Sequence, residues 1–223
     1  MKKTIALLHA TAGLAAATMH EPLDIAWGED NTADLSTTPL NAISVVFTLD
    51  FETLPSWGPM YEPVKTPLFT WTGTADGSDA TGYIERYFCD YGHSDIENII
   101  QVTVPGNNNF GKKDISGYVK ATIGYTYGIN ETGKFYITLM DANGQETDIF
   151  NFKGTITRES LTISRLIKGE NISNLAVYDS VLDPDAIKAV MKNTADSPTV
   201  PEPATATLSL LALAGLAARR RRR

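Results

Sequence analysis

The sequence predicts an all-β protein: an antiparallel β-sandwich with one short C-terminal helix, flanked by an N-terminal signal and a further hydrophobic helix at the C-terminus. Three observations carry this. From Leu23 to about Lys168, apolar and polar residues alternate with period two between clusters of turn-forming residues. Only the stretch LDPDAIKAVMKN shows clear helical spacing. At each chain end an apolar run lies beside basic residues. Many short strands at regular spacing pack as two antiparallel sheets.

The first element is a targeting segment. In MKKTIALLHATAGLAAATMHEP two lysines precede a mostly apolar stretch, and Ala15 and Ala17 stand in the A-x-A relation that signal peptidase accepts, so residues 1–17 read as a signal peptide. The sandwich is expected over 22–193.

Its clearest strand is ISVVFTLDF, with Ile43, Val45, Phe47, Leu49 and Phe51 on one face and Ser44, Thr48 and Asp50 on the other, a half-buried pattern. Further strands are expected at Leu68 to Thr72, Tyr83 to Cys89 and Ile99 to Val104. In GYVKATIGYTYGI, Val119, Ala121, Ile123, Tyr125 and Tyr127 alternate with Lys120, Thr122 and Thr126. KFYITLMDANGQETDIFNF reads as a hairpin, because Asn143-Gly144 can adopt the positive φ angles of a tight turn. Leu161 to Ile167 and Ile172 to Tyr178 complete the set. The helix follows, with Asp183 as cap, Pro184 in the first turn and Ile187, Val190 and Met191 as an apolar stripe for docking on a sheet. Residues 194–200 read as a polar linker.

The chain ends with Pro201-Glu202-Pro203, an apolar run over 204–218 and the arginines Arg219, Arg220, Arg221, Arg222 and Arg223. As a helix the run spans about 22 Å, short for a permanent anchor, and the arginines hold its end on the cytoplasmic side. These elements in this order resemble the PEP-CTERM sorting signal of Gram-negative bacteria, over residues 201–223. The resemblance implies an exosortase-type membrane protease as partner, contact with the membrane during sorting, and a destination in the cell envelope, at the cell surface or in the extracellular matrix.

ISNLAVYDSVLDPDAIKAVMK, with FYITLMDANG and ISVVFTLDF, is similar to laminin-G-like domains of the concanavalin A-like lectin/glucanase superfamily. That resemblance implies a jelly-roll sandwich and a glycan or exopolysaccharide as ligand. Hydrolases of this superfamily carry Glu-x-Asp-x-Glu on a strand. Here the nearest match is Thr48-Leu49-Asp50-Phe51-Glu52, which lacks the first carboxylate. A non-enzymatic binding module is therefore expected, with a structural envelope or biofilm matrix protein as the alternative and a glycoside hydrolase behind both.

Composition bounds the partners. The chain has 19 basic residues, of which Lys2, Lys3 and Arg219 to Arg223 lie at the ends; the remaining 12 face 25 of the 26 acidic residues, Glu202 lying in the tail, a net charge of −13 that repels nucleic acid and anionic lipid. One cysteine, Cys89, excludes an intramolecular disulfide and reads as a small buried hydrophobe. The runs TADGSDATG and DANGQE place oxygen ligands suited to Ca²⁺ in loops, but turn chemistry accounts for them, and no metal or other cofactor is expected. Sugar rings stack on exposed aromatic faces, and Trp57, Tyr61 and Trp71 are the candidate ligand-binding residues. Trp71 also suits the core, and Trp57 also suits a role pinning its own loop.

Overall fold

The computed structural model describes residues 20–54, 60–92, 96–105, 107–131, 133–153 and 157–196. In chain order the strands are β1 (Thr32–Asp34), β2 (Ala42–Asp50), β3 (Val64–Ala75), β4 (Ser78–Asp90), β5 (Ile96–Val104), β6 (Asn107–Asp114), β7 (Tyr118–Gly128), β8 (Lys134–Asp141), β9 (Glu146–Lys153), β10 (Leu161–Lys168) and β11 (Ile172–Tyr178), followed by helix α1 (Pro184–Asp196). They form a six-stranded sheet, β1-β10-β3-β4-β5-β6, and a five-stranded sheet, β11-β2-β7-β8-β9. All pairings are antiparallel. The inner faces meet in one core, so the expected sandwich is present.

Period-two alternation selects the core face. Ile43, Val45, Phe47 and Leu49 of β2 and Ala121, Ile123, Tyr125 and Tyr127 of β7 point between the sheets. Opposite them on β3, Trp71 is 0% exposed. Its ring stacks on Tyr127 at 5.7 Å, and its indole N–H donates to the Tyr125 hydroxyl at 3.3 Å. Burial pushes the Tyr125 hydroxyl far above the ordinary tyrosine range, so it remains a neutral donor and acceptor.

The strand ISVVFTLDF is not half-buried. Ser44 and Thr48 are as inaccessible as the core face, because α1 and the segment leading to it cover the outside of the five-stranded sheet. The Ser44 hydroxyl donates to the Ser180 carbonyl at 2.6 Å and accepts from the Leu182 amide at 2.8 Å; Thr48 bonds the Ser173 hydroxyl at 2.6 Å. Ile187 and Met191 sit on Val46, Tyr136 and Tyr178, with Val190 packed beside them, as the apolar stripe predicts. Close approach depends on Gly124, where a Cβ would stand 2.8 Å from the Met191 sulfur. Asp183 caps the helix, accepting from the amides of Asp185 and Ala186 at 2.9 and 2.8 Å. The helix runs to Asp196 and takes in the first residues of the expected linker; the Thr194 carbonyl accepts from Asn174 Nδ2 at 3.4 Å.

Turns explain much of the acidic excess. Asp30, Asp34, Asp50, Asp90, Asp114 and Asp141 each accept the amide two residues on. At DANG only Gly144 has positive φ, 79°; Asn143 does not, so a single left-handed residue closes the hairpin rather than the expected pair. The β3–β4 hairpin turns on Asp76-Gly77, at φ 50° and 77°. Asp76 then accepts from the amides of Glu159 and Ser160 at 3.0 Å each and pairs with Arg158 at 3.0 Å, while Arg158 reaches the Pro105 carbonyl. This clamp joins three loops at one end of the sandwich.

Candidate functional site

Helix α1 covers one outer face. The other, on the six-stranded sheet, carries a polar and aromatic strip. Along β4, Ala80 and Ile84 belong to the core, so Asp79, Thr81, Tyr83, Glu85 and Tyr87 point outward. Thr70, Thr72 and Thr74 on β3 and Gln101 and Thr103 on β5 share that face by the same alternation. From Asp79 to Tyr87 the strip is about 27 Å long.

Its two halves differ. Toward Asp79 lies a shallow depression of about 530 Å³, lined mainly by Thr72, Thr74, Asp79, Thr81, Thr162 and Ser164. At the middle, Glu85 and Gln101 stand opposite each other on neighbouring strands, both 7% exposed. Gln101 Nε2 donates to Glu85 Oε1, and Lys65 Nζ lies 3.6 Å from the same oxygen. Beyond them the Tyr87 and Tyr91 hydroxyls are 3.2 Å apart, and Tyr91 donates to Glu97 at 3.2 Å. The hydrogen bond with Tyr87 pushes the Tyr91 hydroxyl well above its usual range. Lys112 lies 3.9 Å from Glu97, so Glu85 and Glu97 each face a lysine.

The sequence-predicted aromatics separate. Tyr61 is 61% exposed at the end of this strip, with its amide bonded to the Asp90 carbonyl at 2.7 Å. Trp71 is a correction: its ring is enclosed by the core and stacked on Tyr127, so no face is open to a sugar. Trp57 lies outside the described residues, as do Ala15, Ala17, Pro201, Glu202, Pro203 and the arginines. Sequence reasoning missed Tyr83, Glu85 and Tyr87. The signal was their period-two spacing in YIERY, obscured by Arg86. That residue is 4% exposed, on the inner side, bonded to Asn98 and stacked over Phe88 at 4.9 Å.

Asp50 of the hydrolase-like stretch caps the 3-10 turn Phe51–Thr53, and Thr48 lies beneath the helix side of the other sheet. A second cleft of about 340 Å³ runs between α1 and β7–β9, lined by Thr122, Thr138, Asp148, Glu146, Lys188 and Lys192. Among the described residues its lining is polar and charged apart from Met191 and Ala195.

The chain thus defines an antiparallel β-sandwich with an open polar–aromatic sheet face. Residues 199–223 match the PEP-CTERM protein-sorting motif, which indicates a protein exported to the Gram-negative cell envelope or surface and sorted by exosortase. No curated protein matches the chain.

Proposed function

We propose that the exported sandwich is a non-catalytic module binding an uncharged polysaccharide along the outer face of its six-stranded sheet. The carrying observation is the outward row Thr81-Tyr83-Glu85-Tyr87, in which rings that can stack flank a buried, hydrogen-bonded carboxylate–amide pair. Stacking supplies contact area, and the threonine hydroxyls, Ser164 and Gln101 supply partners for sugar hydroxyls. The charge of −13 outside the end signals disfavours uronic acid polymers, and the lysine partners of Glu85 and Glu97 leave the strip near neutral. Kinship with laminin-G-like domains belongs to the same reading, supported by the sandwich and its closing strand and helix. Catalysis is not part of it: Thr48 replaces the first carboxylate, and Asp50 is engaged in a cap.

The test is a glycan array probed with the full chain in detergent, followed by titration of the best ligand. Tyr83→Ala is expected to weaken binding about tenfold, or ~1.4 kcal/mol, whereas Tyr87→Phe, which keeps the ring, is expected to retain it. Failure to retain any neutral glycan, or indifference to Tyr83→Ala, refutes the reading.

A further inference from the structure

The exposed large hydrophobic side chains among the described residues are Met60, Tyr61, Tyr91 and Ile96, at 58, 61, 36 and 50% exposure. They are not scattered. Met60 and Tyr61 precede β3 and lie against Gly92, where a Cβ would stand 3.3 Å from the Met60 sulfur and 3.5 Å from the Tyr61 hydroxyl. Tyr91 follows β4, and Ile96 opens β5 opposite Asp90. All four therefore occupy the end of the sandwich where β2, β4, β6 and β8 finish. The other end carries the polar Asp76–Arg158 clamp.

Tyr61 is also held at φ 64°, in the left-handed region. Among the described residues the other non-glycine ones there are Asn31, Asp76, Asn130 and Asn174, whose short polar side chains tolerate it. For a bulky aromatic that geometry is an outlier, and it is spent on a ring left in solvent.

Helix α1 finishes at this same end. Ala195 lines a crevice with Lys120, Met140 and Glu146, which belong to the start of β7, the end of β8 and the start of β9. From Asp196 to Ala204, where the uncharged apolar run of the sorting tail begins, eight residue steps reach at most about 28 Å. While that run is in a bilayer, the end of the sandwich bearing Asp196 is held within that distance of the membrane surface.

We infer that in the membrane-held precursor Met60, Tyr61, Tyr91 and Ile96 form a footprint that rests on the lipid headgroup region. Tyrosine suits that position, with an apolar ring and a polar tip. Glu62 and Asp90 adjoin Tyr61 and Tyr91 in the chain, and Glu97 is paired with Lys112, so the surface the patch fits is zwitterionic rather than anionic. The inference rests on the sorting motif and not on glycan binding, since the row Thr81-Tyr83-Glu85-Tyr87 takes no part in it.

The experiment reconstitutes the full chain in phosphatidylcholine vesicles containing a photoactivatable phosphatidylcholine, irradiates them and maps lipid adducts by mass spectrometry. Adducts are expected on peptides containing Met60, Tyr61, Tyr91 and Ile96, several-fold above those at Asp76–Gly77, Asn130 and Arg158. A Met60→Ser, Tyr61→Ser, Ile96→Ser chain with an unchanged melting temperature is expected to lose these adducts and keep those on 204–218. Adducts confined to the tail, or equal at both ends of the sandwich, overturn the inference.

Discussion

Gly82→Ala tests how closely the core is fitted. A Cβ at residue 82 would lie 2.3 Å from Trp71 Nε1, 2.4 Å from Cε2 and 2.7 Å from Cζ2. Ordinary carbon contacts begin near 3.5 Å, so the ring must retreat by about 1 Å. It has little room to do so, being stacked on Tyr127 and bonded to Tyr125. Overpacking of this kind costs about 2 kcal/mol, and losing the Trp71–Tyr125 bond adds about 1 kcal/mol. In a domain of this size 2–3 kcal/mol lowers the melting temperature by about 4–12 °C. Circular dichroism melts of the wild type, Gly82→Ala, Trp71→Phe and the double variant form a cycle. Phenylalanine lacks the atoms that clash, so Gly82→Ala should cost under about 1 kcal/mol in the Trp71→Phe background. Additive effects of the two substitutions would refute the reasoning.

Two further predictions concern acid and the thiol. Asp76 is held below the usual carboxylate range, first by the Ser160 amide and then by Arg158. Its stabilisation is therefore complete above an unfolded pKa of about 3.9 and is lost as pH falls through the lower folded value. The gap in urea midpoint between wild type and Asp76→Asn should be full at neutral pH and close in acid; a gap independent of pH contradicts this. Cys89 is 1% exposed, so a thiol reagent should label it only after unfolding, and labelling in native buffer without denaturant would contradict its placement.

What was legible in the sequence were features fixed by local chemistry. Alternation located β2 and β7, and the Asp183-Pro184 pair located α1, because a strand pleat and a helix cap are decided within a few residues. The short edge strands β1 and β6 were not expected: Thr32–Asp34 holds three residues, and NNNFGKKD has no apolar alternation, so their pairing comes from their neighbours. The double burial of Ser44 and Thr48 was invisible for a related reason, since what covers them arrives some 130 residues later in the chain. For the site, Tyr61 was legible as an exposed aromatic in a proline-rich stretch. Trp71 was ambiguous, because an aromatic beside Leu68 and Phe69 fits a core or a loop equally until its face is assigned. Glu85 and Gln101 become a pair only through the β4–β5 register.

The two outer faces of the sandwich differ in what covers them, and one substitution tests the proposed binding face apart from the helix-covered one. Gly124 clears a place for Ile187 and Met191, so the five-stranded sheet takes a helix; Tyr83 and the threonines of β3 and β4 leave the six-stranded sheet uncovered. Ile187 is 0% exposed, and Ile187→Ala should cost about 2–4 kcal/mol by opening a void under α1. Because the void lies on the far side of the core from Tyr83 and Glu85, glycan affinity measured below the lowered melting point should be unchanged. A parallel fall in affinity would move the ligand to the cleft between α1 and β9, where Thr138 donates to Asp148 at 2.7 Å and Lys188 and Lys192 form the opposite wall. Stability and binding should part company in this variant, and only an intact sheet strip on the opposite face makes that separation possible.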